Sequence, residues 1–431
     1  MIAFETLFLG LLIGSQQVRL TVAPEVRAVE LRLDGEAVAT LVGPPWQARC
    51  DFGPAPHPHE LVAIARDGAG IELGRAHQRV NLPRPKAEAH WFLERDAATR
   101  QVTAARLTWE NLEAPTPRRV TVTFDGVALR VPDPGRVGIP AHDSGTIHLL
   151  TAELVFSDHV TTRADVVFGG ELGEQAETRL TAVPVRVDDG ATLPPAASMQ
   201  GWFTAGGRPL RVVAVETAPA DVVIVLDLEA GASLRTSRRR MKTDASGQLL
   251  ALNPARAGED RMVAIFPTFD TLDRGTDARR LFPVSDPYEL HLGNLEVLLG
   301  RLRFPGADPE SQLLGNAVAI AGLRAAADNR TRAVVLILGG RGCATGSVTP
   351  EAARAFLADL HVPLLVWSLA GAVEDTCWGP AAAAAWPKGL YATFPHLRRD
   401  LDRQRIVWLE GAHLPQRIGL TEAARGVRIA R

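Results

Sequence analysis

Two acidic residues follow a continuous aliphatic run of this 431-residue chain. The run at 221–227 reads Asp-Val-Val-Ile-Val-Leu-Asp, and Glu229 comes two residues after Asp227. Buried strands of parallel sheets read as continuous aliphatic runs because helices cover both of their faces. Open α/β sheets bind ligands at the carboxyl ends of their strands. Asp227 and Glu229 are therefore candidate binding residues, and their oxygens suit a hard cation such as Mg²⁺ or Ca²⁺.

A glycine-rich loop follows the next central run, at 333–338. It reads Gly-Gly-Arg-Gly-Cys-Ala-Thr-Gly-Ser over 339–347 and precedes a helical pattern, which is the context of a phosphate-binding turn. The spacing does not fit, because Thr345 stands where that turn needs glycine and no Gly-Lys pair follows. We interpret the segment as a rim loop, and Arg341 would bring a positive charge close to any cation bound there.

Cys343 lies in the same loop and is the candidate nucleophile of the chain. No histidine is near it in the sequence, so an inert or bridging thiol is the favoured interpretation, and a hydrolase that uses Cys343 remains an alternative. The three cysteines fit no zinc pattern and allow at most one bridge within the chain. If the chain is exported, Cys343 and Cys377 are the favoured pair, because both follow successive core strands on one rim.

The elements that would position these residues alternate between strand and helix from residue 195 to 431, which predicts a doubly wound, mostly parallel sheet. Apolar runs predict strands at 210–215, 222–227, 262–267, 333–338, 362–369 and 406–409. Helical spacing predicts helices at 295–302, at 311–327 with Ser311 as the cap, from Pro350 onwards, and at 396–405.

The first 190 residues read differently, as short strands separated by turns. Proline-bearing linkers near 82–86 and 188–197 divide the chain into segments 1–84, 85–190 and 195–431. Six or seven strands in the first segment predict a β-sandwich. The stretch 122–129 has the same pattern as 31–38, with an Asp-Gly turn at its centre, so we predict a second sandwich built around a similar hairpin.

Composition limits the classes of partner. A net charge of −2 with 22% charged residues produces no field that would recruit nucleic acid or an acidic membrane. The basic run at 235–242 is interpreted as a solvated helix face, since no aromatic residues interleave with it. The apolar stretch at 1–14 is too short to span a bilayer and has no basic start, so a first β-hairpin is favoured over a signal peptide.

The stretches 31–38, 43–46 and 59–70 resemble bacterial immunoglobulin-like modules. The segment 195–431 resembles the von Willebrand factor type A domain, which is Rossmann-like. The whole arrangement is similar to that of bacterial proteins labelled as related to that domain, which are common in soil phyla such as Acidobacteria. The resemblance implies a metal-ion-dependent adhesion site formed by Asp-x-Ser-x-Ser, a threonine and a later aspartate.

Aligned by element order, the first aspartate of that site is Asp227, while its two serines fall on Glu229 and Gly231. The threonine position falls near Ser311, and the later aspartate falls on Gly339, which offers no side-chain oxygen. Hard cations need several well-placed oxygen ligands, so we expect that the metal site has been lost and that no cofactor is bound. A Mg²⁺ or Ca²⁺ ion retained at Asp227 is the alternative.

These observations predict a non-enzymatic module for protein interaction, adhesion or assembly. Its partner would be another protein, bound by rim loops near Asp227, Glu229, Ser311 and Arg341. The alternatives are metal-dependent adhesion on a rearranged site and the Cys343 hydrolase. A cytoplasmic location is the default, and the cell envelope is expected instead if the habit of the resembling family holds.

Overall fold

The computed structural model describes residues 2–6, 8, 10–83, 87–96, 99, 101–111, 116–133, 135–157, 160–170, 180–230, 253–256, 258–265, 284–301, 313–343, 346–371, 373–385 and 388–431. It contains two β-sandwiches, an antiparallel β-unit and a sheet whose central strands are parallel. The expectation of sandwich modules followed by a largely parallel sheet is confirmed at this level.

The first sandwich confirms the predicted hairpins, including one between the first apolar stretch and the strand that follows it. Its strands are β1 (Ile2–Phe4), β2 (Ser15–Val22), β3 (Ala28–Leu33), β4 (Glu36–Leu41), β5 (Gln47–Asp51), β6 (His59–Arg66) and β7 (Glu72–Val80). They form the sheets β1-β2-β5 and β4-β3-β6-β7. Alternate residues of the two sheets face inward, and Val18, Leu31 and Leu61 are fully buried between them.

The second sandwich repeats this arrangement. Its strands are β8 (Ala87–Arg95), β9 (Val102–Asn111), β10 (Arg119–Phe124), β11 (Val127–Leu129), β12 (Val137–Gly138), β13 (Ile147–Ser157) and β14 (Val160–Gly169). The sheets are β12-β9-β8 and β11-β10-β13-β14. Trp91 fills the centre, and its indole N–H donates to the Ala164 carbonyl oxygen at 3.0 Å, so the ring is buried without an unpaired donor.

One Asp–His contact occurs in both sandwiches. Asp34 and Asp125 begin the two Asp-Gly turns with φ of 55° and 50°. Asp34 Oδ2 lies 2.6 Å from Nδ1 of His59, and Asp125 Oδ2 lies 2.7 Å from Nδ1 of His148. In each case Oδ1 accepts the backbone N–H of the residue after the histidine, at 2.9 and 2.8 Å. The internal repeat is therefore a shared turn that is held by the same two hydrogen bonds.

The remaining strands form three sheets. They are β15 (Leu180–Val187), β16 (Phe203–Ala205), β17 (Arg208–Leu210), β18 (Val212–Glu216), β19 (Ala220–Leu226), β20 (Arg261–Ile265), β21 (Tyr288–Glu289), β22 (Thr331–Leu338), β23 (Leu364–Ser368), β24 (Val373–Thr376), β25 (Gly379–Ala383), β26 (Gln404–Glu410), β27 (Ile418–Leu420) and β28 (Val427–Ile429). The α-helices with defined bounds are α1 (Leu292–Arg301), α2 (Leu314–Ala325), α3 (Pro350–Asp359) and α4 (Lys388–Asp402), and short 3-10 helices occur at Ala196–Met199 and Pro415–Arg417.

The parallel sheet has the order β21-β20-β19-β22-β23-β25-β24, with β21 and β24 antiparallel to their neighbours. Counted along the chain from one to seven, this order is 3-2-1-4-5-7-6, and its first five positions match a doubly wound fold. Two buried clusters cover its faces, one including Ile224 and Leu295 and the other including Val225 and Phe356. The order reverses between β19 and β22, where such folds bind ligands.

Two strands predicted for this sheet lie elsewhere, and that part of the prediction is wrong. The runs at 210–215 and 406–409 belong to β17, β18 and β26, and β26 pairs antiparallel with β18 and β15 in the sheet β18-β26-β15-β28. That sheet packs on β17-β16-β27 around Phe203 and Val407. An aliphatic run predicts a buried strand but not its sheet, because burial by helices and by strands leaves the same pattern.

Arg332, at the start of β22, ties two helices to the sheet. Its guanidinium donates to the carbonyl oxygens of Ala326, Leu360 and His361 at 3.2–3.3 Å. Ala326 and Leu360 are the C-caps of α2 and α3, where the carbonyl groups carry partial negative charge. Burial lowers the pKa of Arg332 to about 10, which leaves it charged at neutral pH.

The sandwiches contact the rest of the chain through polar groups. In the first sandwich, His57 Nδ1 lies 2.7 Å from Asp359 Oδ2 at the end of α3. In the second, Arg163 binds both carboxylate oxygens of Glu216 at 2.8 and 2.9 Å and lies 4.7 Å from the centre of the Trp408 ring. Despite burial, the hydrogen bonds from Arg163 keep the pKa of Glu216 below its ordinary value.

The Arg163 cluster should stabilise the junction between the second sandwich and β26. We expect Arg163→Ala to lower the free energy of unfolding by about 3 kcal/mol or more, because it leaves Asp165 and Glu216 partly buried without their cation. Arg136→Ala is the matched control: that side chain is 68% exposed and also pairs with a carboxylate, so about 0.5 kcal/mol is expected. Urea unfolding of both variants measures the difference, and equal small losses would contradict the proposed role.

Candidate functional site

Asp227 lies directly after β19 at the point where the strand order reverses. Its exposed fraction is 0%. Oδ1 accepts the backbone N–H of Ala230, and the N–H of Gly339 lies 3.0 Å from both carboxylate oxygens. The side chain therefore caps the helical turn that begins at Leu228 and joins it to the loop after β22.

The protonation of Asp227 reflects two opposed effects. Burial raises the pKa of its carboxyl group to about 7, while the backbone N–H groups of Ala230 and Gly339 oppose the rise. The nearby Glu229 carboxylate adds to the rise by electrostatic repulsion. Protonated and ionised forms of Asp227 are both populated near neutral pH.

Gly339 and Gly340 allow the loop after β22 to contact the helical turn closely. A Cβ atom on Gly339 would stand 2.2 Å from the backbone carbon of Glu229 and 2.3 Å from the nitrogen of Ala230. On Gly340 it would stand 1.8 Å from Oε2 of Glu229, at the end of a flexible side chain. Glycine is therefore needed at 339 for the backbone to approach, which is a different role from supplying a ligand.

The rest of the rim loop is joined to the turn between β24 and β25. Cys343 and Cys377 form a disulfide with their Cα atoms 5.3 Å apart. The N–H of Cys377 donates to the carbonyl oxygen of Arg341 at 3.2 Å. The indole N–H of the buried Trp378 donates to the carbonyl oxygen of Gly342 at 2.9 Å. A disulfide sulfur is not a thiolate, so in this form Cys343 is not the nucleophile that the hydrolase alternative requires.

The structure brings together Asp227, Glu229 and the glycine loop, and it places Arg341 exposed on that loop. Ser311, Gly231 and the basic run at 235–242 lie outside the described residues. Sequence reasoning missed the amide of Gly339 and the indole of Trp378. A pair of adjacent glycines after a buried strand was the available signal for such a close approach.

Within the described part of the chain, no three His, Cys, Asp or Glu side chains are grouped so as to hold a metal ion. His57 and His59, which are close in sequence, each contact a separate carboxylate, that of Asp359 and that of Asp34. The described helices include none with the length and apolar character needed to cross a bilayer.

Comparison with known proteins gives limited similarity. No protein-family model matches the chain, and no curated protein matches it significantly. Among solved structures, the fibronectin(III)-like modules of Clostridium thermocellum CbhA match 19% of this chain and 93% of their own at 14% identity, with a TM-score of 0.17.

Two further structures match larger shares of the chain. The central fibronectin-III array of RIM-binding protein matches 48% of this chain and 78% of its own at 16% identity, with a TM-score of 0.20. The Bacteroides ovatus protein SGBP-B, solved with a mixed-linkage heptasaccharide, matches 49% of this chain and 57% of its own at 14% identity, with a TM-score of 0.14.

The two glycines should differ sharply in their tolerance of a methyl group. We expect Gly339→Ala to lower the free energy of unfolding by about 3 kcal/mol, because the added carbon meets backbone atoms that cannot move independently. Gly340→Ala should cost less than about 1 kcal/mol, since the side chain of Glu229 can rotate away. Denaturant unfolding of the two variants tests the close approach, which equal losses would disprove.

The raised pKa of Asp227 predicts how its contribution to stability depends on pH. The ordinary pKa of this group is 3.8 and the folded value is about 7, so the folded state binds the proton more tightly. The resulting contribution to the free energy of unfolding is up to about 4 kcal/mol. It is fully present below about pH 4 and is lost as pH rises through 7.

Asp227→Asn keeps the shape of the side chain but does not titrate. Unfolding free energies measured between pH 4 and 8 should therefore fall more steeply in the wild type than in this variant. Parallel curves would show that Asp227 keeps an ordinary pKa in the folded protein.

Proposed function

We propose that the protein is a non-enzymatic module that binds other proteins without a bridging metal ion. Two β-sandwiches precede a third segment whose doubly wound strand order, with Asp227 after the first central strand, supports the resemblance to a von Willebrand factor type A domain. Sandwiches in series commonly act as spacers or binding modules, so this arrangement favours an adhesion or assembly protein.

The observation that carries the proposal is the state of the Asp227 carboxylate. Both of its oxygens already accept backbone N–H groups, and the side chain is fully buried. A cation would have to displace these bonds and recruit further oxygens. The position that resembles the family's second aspartate is Gly339, where any side chain would meet the backbone of Glu229.

The rim that surrounds Asp227 is the proposed contact surface. Glu229 is partly exposed and Arg341 is exposed, so the rim offers one acidic and one basic side chain to a partner. The disulfide between Cys343 and Cys377 holds the loop that carries Arg341 and reduces the entropy lost on binding. Ser311 remains a proposed member of this rim.

A cation retained at Asp227 is the competing proposal, and thermal unfolding distinguishes the two. A ligand that binds only the folded state raises the unfolding midpoint. We expect the full chain to unfold at the same temperature with EDTA and with millimolar Mg²⁺, Ca²⁺ or Mn²⁺. A cation-dependent rise in the wild type that is absent from Asp227→Asn would overturn the proposal and establish a metal site.

A further inference from the structure

The edge of β23 that faces β25 is only partly paired. The carbonyl oxygen of Pro363 accepts the Val334 N–H at 2.9 Å, and the Leu369 N–H donates to the carbonyl oxygen of Leu338 at 2.9 Å. The odd-numbered residues of this stretch therefore bond to β22. On the other side of the strand, the backbone carbonyl oxygen of Ser368 accepts the Ala384 N–H at 2.8 Å. Successive residues of a strand point their backbone groups in opposite directions, so Leu364 and Val366 face β25.

β25 does not reach those residues. It pairs with β23 only at Trp367↔Ala382 and Ser368↔Ala383. The earlier residues of β25 pair instead with β24, at Thr376↔Gly379 and Val373↔Ala381. In the described part of the chain, the N–H and C=O of Leu364 and the N–H of Val366 therefore have no strand partner. An unpaired strand edge is a template for another strand.

The gap is a groove of about 930 Å³ between α3 and α4. Leu364, Leu365 and Val366 contribute to it from the sheet. Its helical walls include small side chains, Ala355 on α3 and Ala392 on α4, and both alanines are exposed. Small residues on both walls leave space for the side chains of an added strand, which point alternately to the two sides.

The charged side chains around the groove favour an occupant that carries an acidic group. Asp400 is paired with Arg186 at 2.7 Å, whereas Arg354 has no carboxylate within ion-pairing distance among the described residues. Its guanidinium carbon lies 3.8 Å from the position a Cβ would take on Gly379, where β25 begins. Glu351, one helical turn before Arg354, is the other acidic side chain of the groove. An acidic residue of a ligand would complete the pairing of Arg354.

We propose that this groove binds an extended peptide segment of a partner protein, which adds a strand beside β23 and places an acidic side chain against Arg354. Main-chain hydrogen bonds to Leu364 and Val366 would supply affinity, and the helical walls would supply selectivity. The inference rests on the proposed function as an interaction module, for which it names the class of partner. A purely apolar small molecule would leave the backbone groups of Leu364 unpaired.

A displayed library of random eight-residue peptides, selected against the full chain, provides the probe. Enriched peptides should be rich in β-branched residues, poor in proline and acidic at one position. Synthetic copies should bind the wild type, and their Kd should rise at least tenfold in Ala392→Trp, which fills the groove from an exposed position. Ala423→Trp, the same change at an exposed alanine outside the groove, should leave the Kd unchanged.

A second readout separates strand addition from other modes of binding. Amide exchange at Leu364 and Val366 should slow when the peptide is bound, while Arg354→Gln should weaken acidic peptides more than their glutamine analogues. Failure to enrich any peptide, equal affinities for Ala392→Trp and Ala423→Trp, or unchanged exchange at both amides would each overturn the groove proposal.

Sedimentation tests the remaining occupant, a second copy of this chain. A dimer that Ala392→Trp converts to a monomer would replace the peptide proposal with self-association. None of these results depends on added cations, so they test the groove alone. The metal-free function is tested separately, by whether cations raise the unfolding midpoint, and the two failures are therefore distinguishable.

Discussion

The bonds between the Asp227 carboxylate and two backbone amides are the constraint on which the rest of this rim depends. They join the end of β19 to the helical turn at Ala230 and to Gly339 after β22. Because the carboxylate is buried, it must be satisfied by donors from the protein itself. The Asp227 carboxylate therefore holds two loops together, and the absence of a side chain at Gly339 makes that contact possible.

A small number of polar contacts also joins the modules to one another. Two of the helices that cover the parallel sheet, α2 and α3, have C-terminal ends that meet at Arg332. The antiparallel β-unit uses β26 as an interior strand. Arg163 reaches from the second sandwich to Glu216 beside that strand. These contacts are charged and partly buried, so they favour a defined arrangement of modules over a flexible chain of independent ones.

Much of the local structure was predictable because it depends on short-range chemistry. The Asp-Gly turns at Asp34 and Asp125 need positive φ, and both were recognised from the sequence. The helix predicted from Pro350 onwards does begin there as α3, and the hydroxyl of the preceding Thr349 accepts the Ala352 N–H. The histidines that complete the two turns were not predicted, because His59 and His148 come from strands more than 20 residues away.

The sequence by itself determined most of the central buried strands, the two Asp-Gly turns, and the position of Asp227 directly after a central strand, since periodicity and turn chemistry are local. Only the tertiary structure decided that β18 and β26 lie outside the parallel sheet and that the Gly339 N–H donates to the Asp227 carboxylate. It also decided that part of the β23 edge is unpaired. Each of these outcomes depends on which distant backbone lies beside a strand. Hydrogen bonds to a distant backbone leave no trace in the local side-chain pattern, so the sequence could not predict them.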